Sequence, residues 1–123
     1  MKKIGVVGSI NMDMTVKAER IPLKGETLKG WDLKYVPGGK GANQAVAMAK
    51  LGAEVEMFGC VGDDAAGASL LKNLQDVGVE TKCVKVVEGE PTGLAMITVG
   101  DNDNTMIDVA GTNDRVDVGY VNE

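Results

Sequence analysis

The chain of 123 residues is one domain's worth of sequence; 44% of it is hydrophobic and only 3% aromatic, a composition that packs a core and excludes a disordered tail. Its 18 acidic and 13 basic residues give a net charge of −5 and are interspersed without a basic cluster, so nucleic acid is not an expected partner. With no histidine and with Cys60 and Cys83 outside any C-x-x-C pair, neither a disulfide scaffold nor a zinc site is expected.

Residues 1–4 run directly into a strand-like segment without a long apolar stretch, so no membrane span is expected and the reading is a cytoplasmic protein. Residues 4–7 form a β-branched run closed by Gly8, the pattern of a strand buried on both faces. Ser9, Asn11 and Asp13 follow at once, and ligands collect beyond the carboxyl ends of strands in open parallel sheets. Asn11 and Asp13 are therefore candidate hydroxyl binders; the structural alternative is a local Asx or Ser turn with a solvated Asp13. Residues 14–18 and 28–36 predict two strands around the turn-rich segment 22–26, with Pro37 ending the second. Their mixed polar and apolar residues suit a half-exposed antiparallel layer.

The run Gly38-Gly39-Lys40-Gly41-Ala42-Asn43-Gln44 opens into a helix whose stripe, Ala42, Ala45, Val46 and Ala49, is nearly all small. Lys50 occupies its last turn and Gly52 follows as a C′ residue. A glycine-rich entry to a helix lets the backbone approach a ligand and favours bound polar oxygens. Close helix-to-sheet packing is the plainer explanation of the small stripe.

Residues 55–61 predict a second buried strand that holds Cys60 as a structural thiol. Gly62-Asp63-Asp64 closes it and caps a helix from Ala65 to about Asp76, with Leu70, Leu71, Leu74 and Val77 as its core stripe and Gly78 at its end. N-capping explains the two aspartates more simply than a metal pair. A strand over 84–87 follows, and then strands over 93–99 and 105–109 flank Asp101-Asn102-Asp103-Asn104 as a hairpin. An EF-hand is rejected, because the sixth position from Asp101 is Met106 and the twelfth is Thr112. The chain also lacks a Walker loop and the Gly-x-Gly-x-x-Gly fingerprint, so a P-loop enzyme or a redox dinucleotide module is disfavoured.

Gly39, Gly41, Asn43, Ala45, Gly52 and Gly62 keep the register of a known signature, and the sequence resembles the ribokinase-like carbohydrate kinases, the phosphofructokinase-B family. Gly8-Ser9-Ile10-Asn11 with Asp13, Gly25-Glu26-Thr27, the segment from Cys60 to Gly67, and Thr92-Gly93 extend the likeness over essentially the whole chain. The resemblance implies an α/β fold: a partial ribokinase-like three-layer α/β core with a small β-sheet lid, residues 1–123 being one N-terminal fragment and strands near 14–18, 28–36, 93–99 and 105–109 forming the lid. It implies a site in which Asn11, Asp13, Gly39, Lys40, Gly41 and Asn43 hold sugar hydroxyls and Ala95, Ile97 and Ile107 make lid contacts.

The implied activity is ATP-dependent phosphorylation of the primary hydroxyl of a pentose, D-ribose first, with fructose, a deoxy-keto sugar or a nucleoside as alternatives. In the family, the catalytic aspartate, its glycine-rich anion hole and most of the ATP and Mg2+ site belong to a C-terminal half that this sequence lacks. No Gly-Ala-Gly-Asp-like run occurs, and residues 122–123 resemble the start of another helix. No catalytic residue is therefore expected in this chain, which should be inactive alone and bind neither ATP nor Mg2+ well. The remaining implied partner is a second copy, a homodimer or higher assembly formed through lid strands or an exposed sheet edge, and a non-catalytic self-associating module is the competing reading.

Overall fold

A computed structural model describes residues 3–117; the expected helix start at 122–123 lies outside them. The elements in chain order are β1 (Lys3–Val7), β2 (Asn11–Ala18), β3 (Gly30–Gly38), α1 (Lys40–Lys50), β4 (Glu54–Gly62), α2 (Ala65–Asp76), β5 (Val84–Val87), β6 (Gly93–Gly100), β7 (Asp103–Val109) and a 3₁₀ turn over Gly111–Arg115. They build two sheets. The first is parallel, in the order β1-β4-β5, and the second has the order β3-β2-β6-β7.

The parallel sheet carries the core. Val55, Met57 and Val61 alternate along one face of β4 and are almost fully buried against Ala42 and Ala45 of α1 and Leu70 and Leu74 of α2. The two helices also touch each other, so they form one layer over one face of the sheet. The small stripe of α1 lets that helix sit close to β4, while the two leucines of α2 contribute about 1.5–3 kcal/mol each by burial. Gly52 and Gly78, with φ of 95° and 87°, end the helices in the left-handed region as their positions predict. Asp64 is the N-cap of α2: its Oδ1 accepts from Gly67 N at 2.8 Å, and its Oδ2 accepts from Thr92 N at 2.9 Å.

Two expectations about strands are corrected. β1 is not buried on both faces: Val6 is buried, but Ile4 and Val7 are 38% and 55% exposed, because among the described residues β1 is an edge strand that pairs with β4 alone. Pro37 does not end β3 but pairs with Met12 inside it; the strand lies at a sheet edge, where a missing N–H costs no ladder bond.

The second sheet is the expected small layer, although it is mixed, since β2 runs parallel to β6 and antiparallel to β3. β6 and β7 are joined by the two-residue turn Asp101-Asn102, both with positive φ, the geometry of a hairpin turn that matches strand twist. Asp103 and Asn104 belong to β7 rather than to the turn.

Candidate functional site

The two sheets meet where β1 ends and β2 begins. Ile10, wholly buried, plugs the junction, and the chain on either side of it turns Ser9 and Asn11 toward the start of α1. Gly39 makes this approach possible: its φ is 95°, and a Cβ there would stand 2.6 Å from Ser9 O. Gly41 packs backbone to backbone on Gly8, where an added Cβ would lie 2.8 Å from Gly8 Cα. The first turn of α1 is thereby held against the end of β1, with Ala42 N donating to Ser9 O at 3.0 Å and Asn43 N donating to Gly39 O at 2.8 Å.

A cleft of about 460 Å³ opens between this turn and the second sheet, lined by Ser9, Asn11, Asp13, Gly39, Lys40, Asn43, Ala95, Met106, Asp108, Ala110 and Asn113. Six of the nine residues singled out from the sequence line it. Gly41 lies buried beneath it. Ile97 is on the cleft-side face of β6, one step beyond Ala95 along the strand, but outside the lining. Ile107 is on the opposite face, paired with Met96. The cleft-side residues of β7 are Met106 and Asp108, which pair with Ile97 and Ala95.

Asn113 is a cleft residue that the sequence reading did not single out. Ile10 N donates to Asn113 Oδ1 at 3.0 Å, and a backbone N–H can only donate, so the atom facing it must be the amide oxygen. The Asn113 amide nitrogen then donates to Asn11 Oδ1. With its oxygen engaged, Asn11 offers the cleft its NH2 group, a donor. The sequence signal lay in the Gly111-Thr112-Asn113 run, where a turn is followed by an amide residue, but nothing local shows that it returns to Asn11 from 102 residues away.

The electrostatics divide the same way. Burial, and then the neighbouring Asp108, push the Asp13 carboxyl above its ordinary range. Among the described residues, the side chains of Asp13, Lys40, Asn43 and Asp108 make no hydrogen bond or ion pair, and they converge on one space. Elsewhere some charges are matched. The Arg20 guanidinium, bonded to both oxygens of Glu26, holds that carboxyl down to about 2, and Arg115 clasps Glu90. Cys83 donates to Glu56 at 2.9 Å, and that bond, with burial second, raises the thiol pKa.

Among the described residues, no group of three or more His, Cys, Asp or Glu is able to hold a metal ion, and the cleft sets two carboxylates against one lysine. Triphosphate would be repelled there, whereas a neutral polyhydroxylated ligand would find both donors and acceptors. No described helix is long and apolar enough to cross a membrane.

Comparison with known proteins agrees with this architecture. The family model described as "pfkB family carbohydrate kinase" matches residues 1–118. Ribokinase of Bacillus subtilis is 45% identical over 120 residues, covering 98% of this chain and 41% of that protein. Ribokinase of Arabidopsis thaliana, solved in complex with ribose and ATP, superposes with a TM-score of 0.83 at 41% identity, over 89% of this chain and 36% of that one. Ribokinase from Giardia lamblia gives a TM-score of 0.87 at 32% identity, over 99% of this chain and 38% of that one. The chain thus spans about two fifths of the length of the relatives it matches. Family model, relatives and fold coincide over the same residues, and the chain belongs to the pfkB family of carbohydrate kinases.

Proposed function

We propose that this chain forms the acceptor-sugar cleft and lid of an ATP-dependent kinase that phosphorylates the primary hydroxyl of a pentose, D-ribose first, in the cytoplasm. The observation that carries the reading is the convergence of unpaired polar groups, Asp13, Lys40 and Asn43, with the donor side of Asn11 beneath the second sheet. In this reading Asp13 accepts from two adjacent hydroxyls, Asn11 donates through Nδ2, and Lys40 donates to a ring or hydroxyl oxygen. Asn43 bonds a further hydroxyl, and Gly39 lets the backbone approach.

The chain binds the sugar but does not transfer phosphate. A general base contributes roughly 10²- to 10⁴-fold, and phosphoryl transfer otherwise depends on positioning and electrostatic stabilisation of the donor, for which the cleft offers one cation, Lys40, beside two carboxylates. Calorimetry with D-ribose tests the binding. Asp13→Ala is expected to weaken it about 100-fold, the order of one to two charge-assisted hydrogen bonds, and Asp64→Ala to leave it within twofold. Equal losses would overturn the assignment, and ATP-dependent phosphorylation of ribose by the purified chain would overturn the division of labour.

A second reading, self-association through the lid, is favoured by the exposed apolar residues of the second sheet, among them Tyr35, Leu33, Met106 and Ile107. β3 and β7 are also edge strands, and unpaired edges invite pairing. A strictly monomeric chain at high concentration in light scattering would sink this reading.

A further inference from the structure

We propose that Asp108 is a specificity-determining residue of the cleft, one that selects a neutral, fully hydroxylated sugar over deoxy and anionic ones. The inference rests on the acceptor-site reading above. Asp13 pairs with Ala95 across β2 and β6, and Ala95 pairs with Asp108 across β6 and β7. Paired residues of neighbouring strands share a face, so both carboxylates stand on the cleft side with only the methyl group of Ala95 between them. Their backbones are two strand spacings apart, roughly 10 Å, and both residues line the same 460 Å³ space.

Asp108 has no partner that explains a carboxylate at this position. It makes no hydrogen bond or ion pair among the described residues, and it acts on Asp13, a like charge on the same face. The strand partners on its face, Ala95 and Asp13, offer no proton donor. A ligand hydroxyl seated between the two walls supplies one. Asp13 then takes hydroxyls on the β2 side and Asp108 a further hydroxyl on the β7 side, while Asn11 and Lys40 donate from the floor. A sugar lacking the hydroxyl that meets Asp108 leaves a carboxylate facing ligand carbon, and sites built to bond a hydroxyl discriminate strongly against analogues without it. A sugar acid meets two like charges and is repelled.

The test is calorimetry on the full chain with D-ribose, its 1-, 2- and 3-deoxy analogues and ribonate. In wild type, one deoxy sugar binds at least tenfold more weakly than ribose. Asp108→Ala weakens ribose about tenfold and leaves that same deoxy sugar within twofold, so the preference disappears. Asp108→Asn, equal in size but uncharged, strengthens ribonate binding severalfold. Asp108 is exposed, so both variants are expected to fold. Uniform loss across the panel, no loss for any sugar, or unchanged ribonate binding in Asp108→Asn overturns the role of Asp108 while leaving the acceptor site standing. A wild-type chain that binds none of these sugars overturns both.

Discussion

The two sheets of this molecule keep opposite habits. β4, at the centre of the parallel sheet, buries Val55, Met57 and Val61 almost completely, and the polar groups at its end are matched, with Gly62 N donating to Thr92 Oγ1 at 2.9 Å and Thr92 N to Asp64 Oδ2 at 2.9 Å. β7, at the edge of the second sheet, has every residue exposed. The difference teaches where to look for function: a group left unmatched beside a satisfied core is available to something else. The unmatched groups of the cleft lie at the border between the two habits.

The contrast breaks most visibly on truncation. Leu74→Ala, in the core, is expected to cost about 2–5 kcal/mol through lost burial and the remaining cavity, whereas Ile107→Ala, on β7, should stay within about 0.5 kcal/mol. Urea denaturation of both variants decides; similar losses would mean that the lid is as cooperative with the core as its own helices are. A smaller effect is expected at the border. Asn113→Asp removes the amide donor and sets a carboxylate against Asn11 Oδ1, which should lower ribose affinity about tenfold, the order of one hydrogen bond. Asn113→Ala should lower it less, because Asn11 is then free to turn either way. If both variants bind ribose as wild type does, the orientation of Asn11 is not set by Asn113.

The smallest effect concerns pH. Burial pushes the Asp64 carboxyl up, but the bonds from Thr92 and Gly67 outweigh it and leave its pKa below the ordinary 3.8. A carboxyl with a depressed folded pKa stabilises above its unfolded pKa, and that contribution fades as the pH falls through the folded value. Solvent screening reduces it to a few tenths of a kcal/mol. Asp13 has the opposite sign: its raised pKa means that ionisation near neutral pH works against folding. Acid titration of stability should therefore be shallower for Asp64→Asn than for wild type, and Asp13→Asn should melt slightly higher at neutral pH even as it loses ribose. A lower melting point for Asp13→Asn would reverse that sign.

Most of the fold was legible because its signals are local. The capping of α2 by Asp64, the glycines after both helices and the small stripe of α1 all reduce to backbone geometry within one turn of the chain. The polar lining of the cleft was legible for the same reason, since Asn11, Asp13, Gly39, Lys40 and Asn43 fall in two short runs at the end of a strand and the start of a helix. The lid contacts were less so. Ile107 came with the resemblance and from no local signal. The two-residue turn at Asp101-Asn102 pairs Ile97 with Met106 and Ala95 with Asp108, and because neighbouring residues of a strand face opposite ways, Ile107 is turned from the cleft while Asp108 faces it. The exposure of β1 was illegible for another reason: its β-branched composition suits a covered strand, and only the sheet order makes it an edge.

One arrangement in the second sheet has a mechanical consequence. β2 begins at Asn11, β3 ends at Gly38, β6 begins at Gly93 and β7 ends at Val109, and these ends lie side by side in register. All four strands are thus rooted at the same end, and the turn at Asp101-Asn102 is the free tip of a cantilever. In a beam clamped at its root, displacement grows with distance from the clamp. Asn11, Asp13 and Asp108 sit near the root, so flexing of the sheet about that end would displace them less than Lys17 and Val99 near the tip. In the proposed reading, a sugar held by these residues would sit at the end where such displacement is smallest.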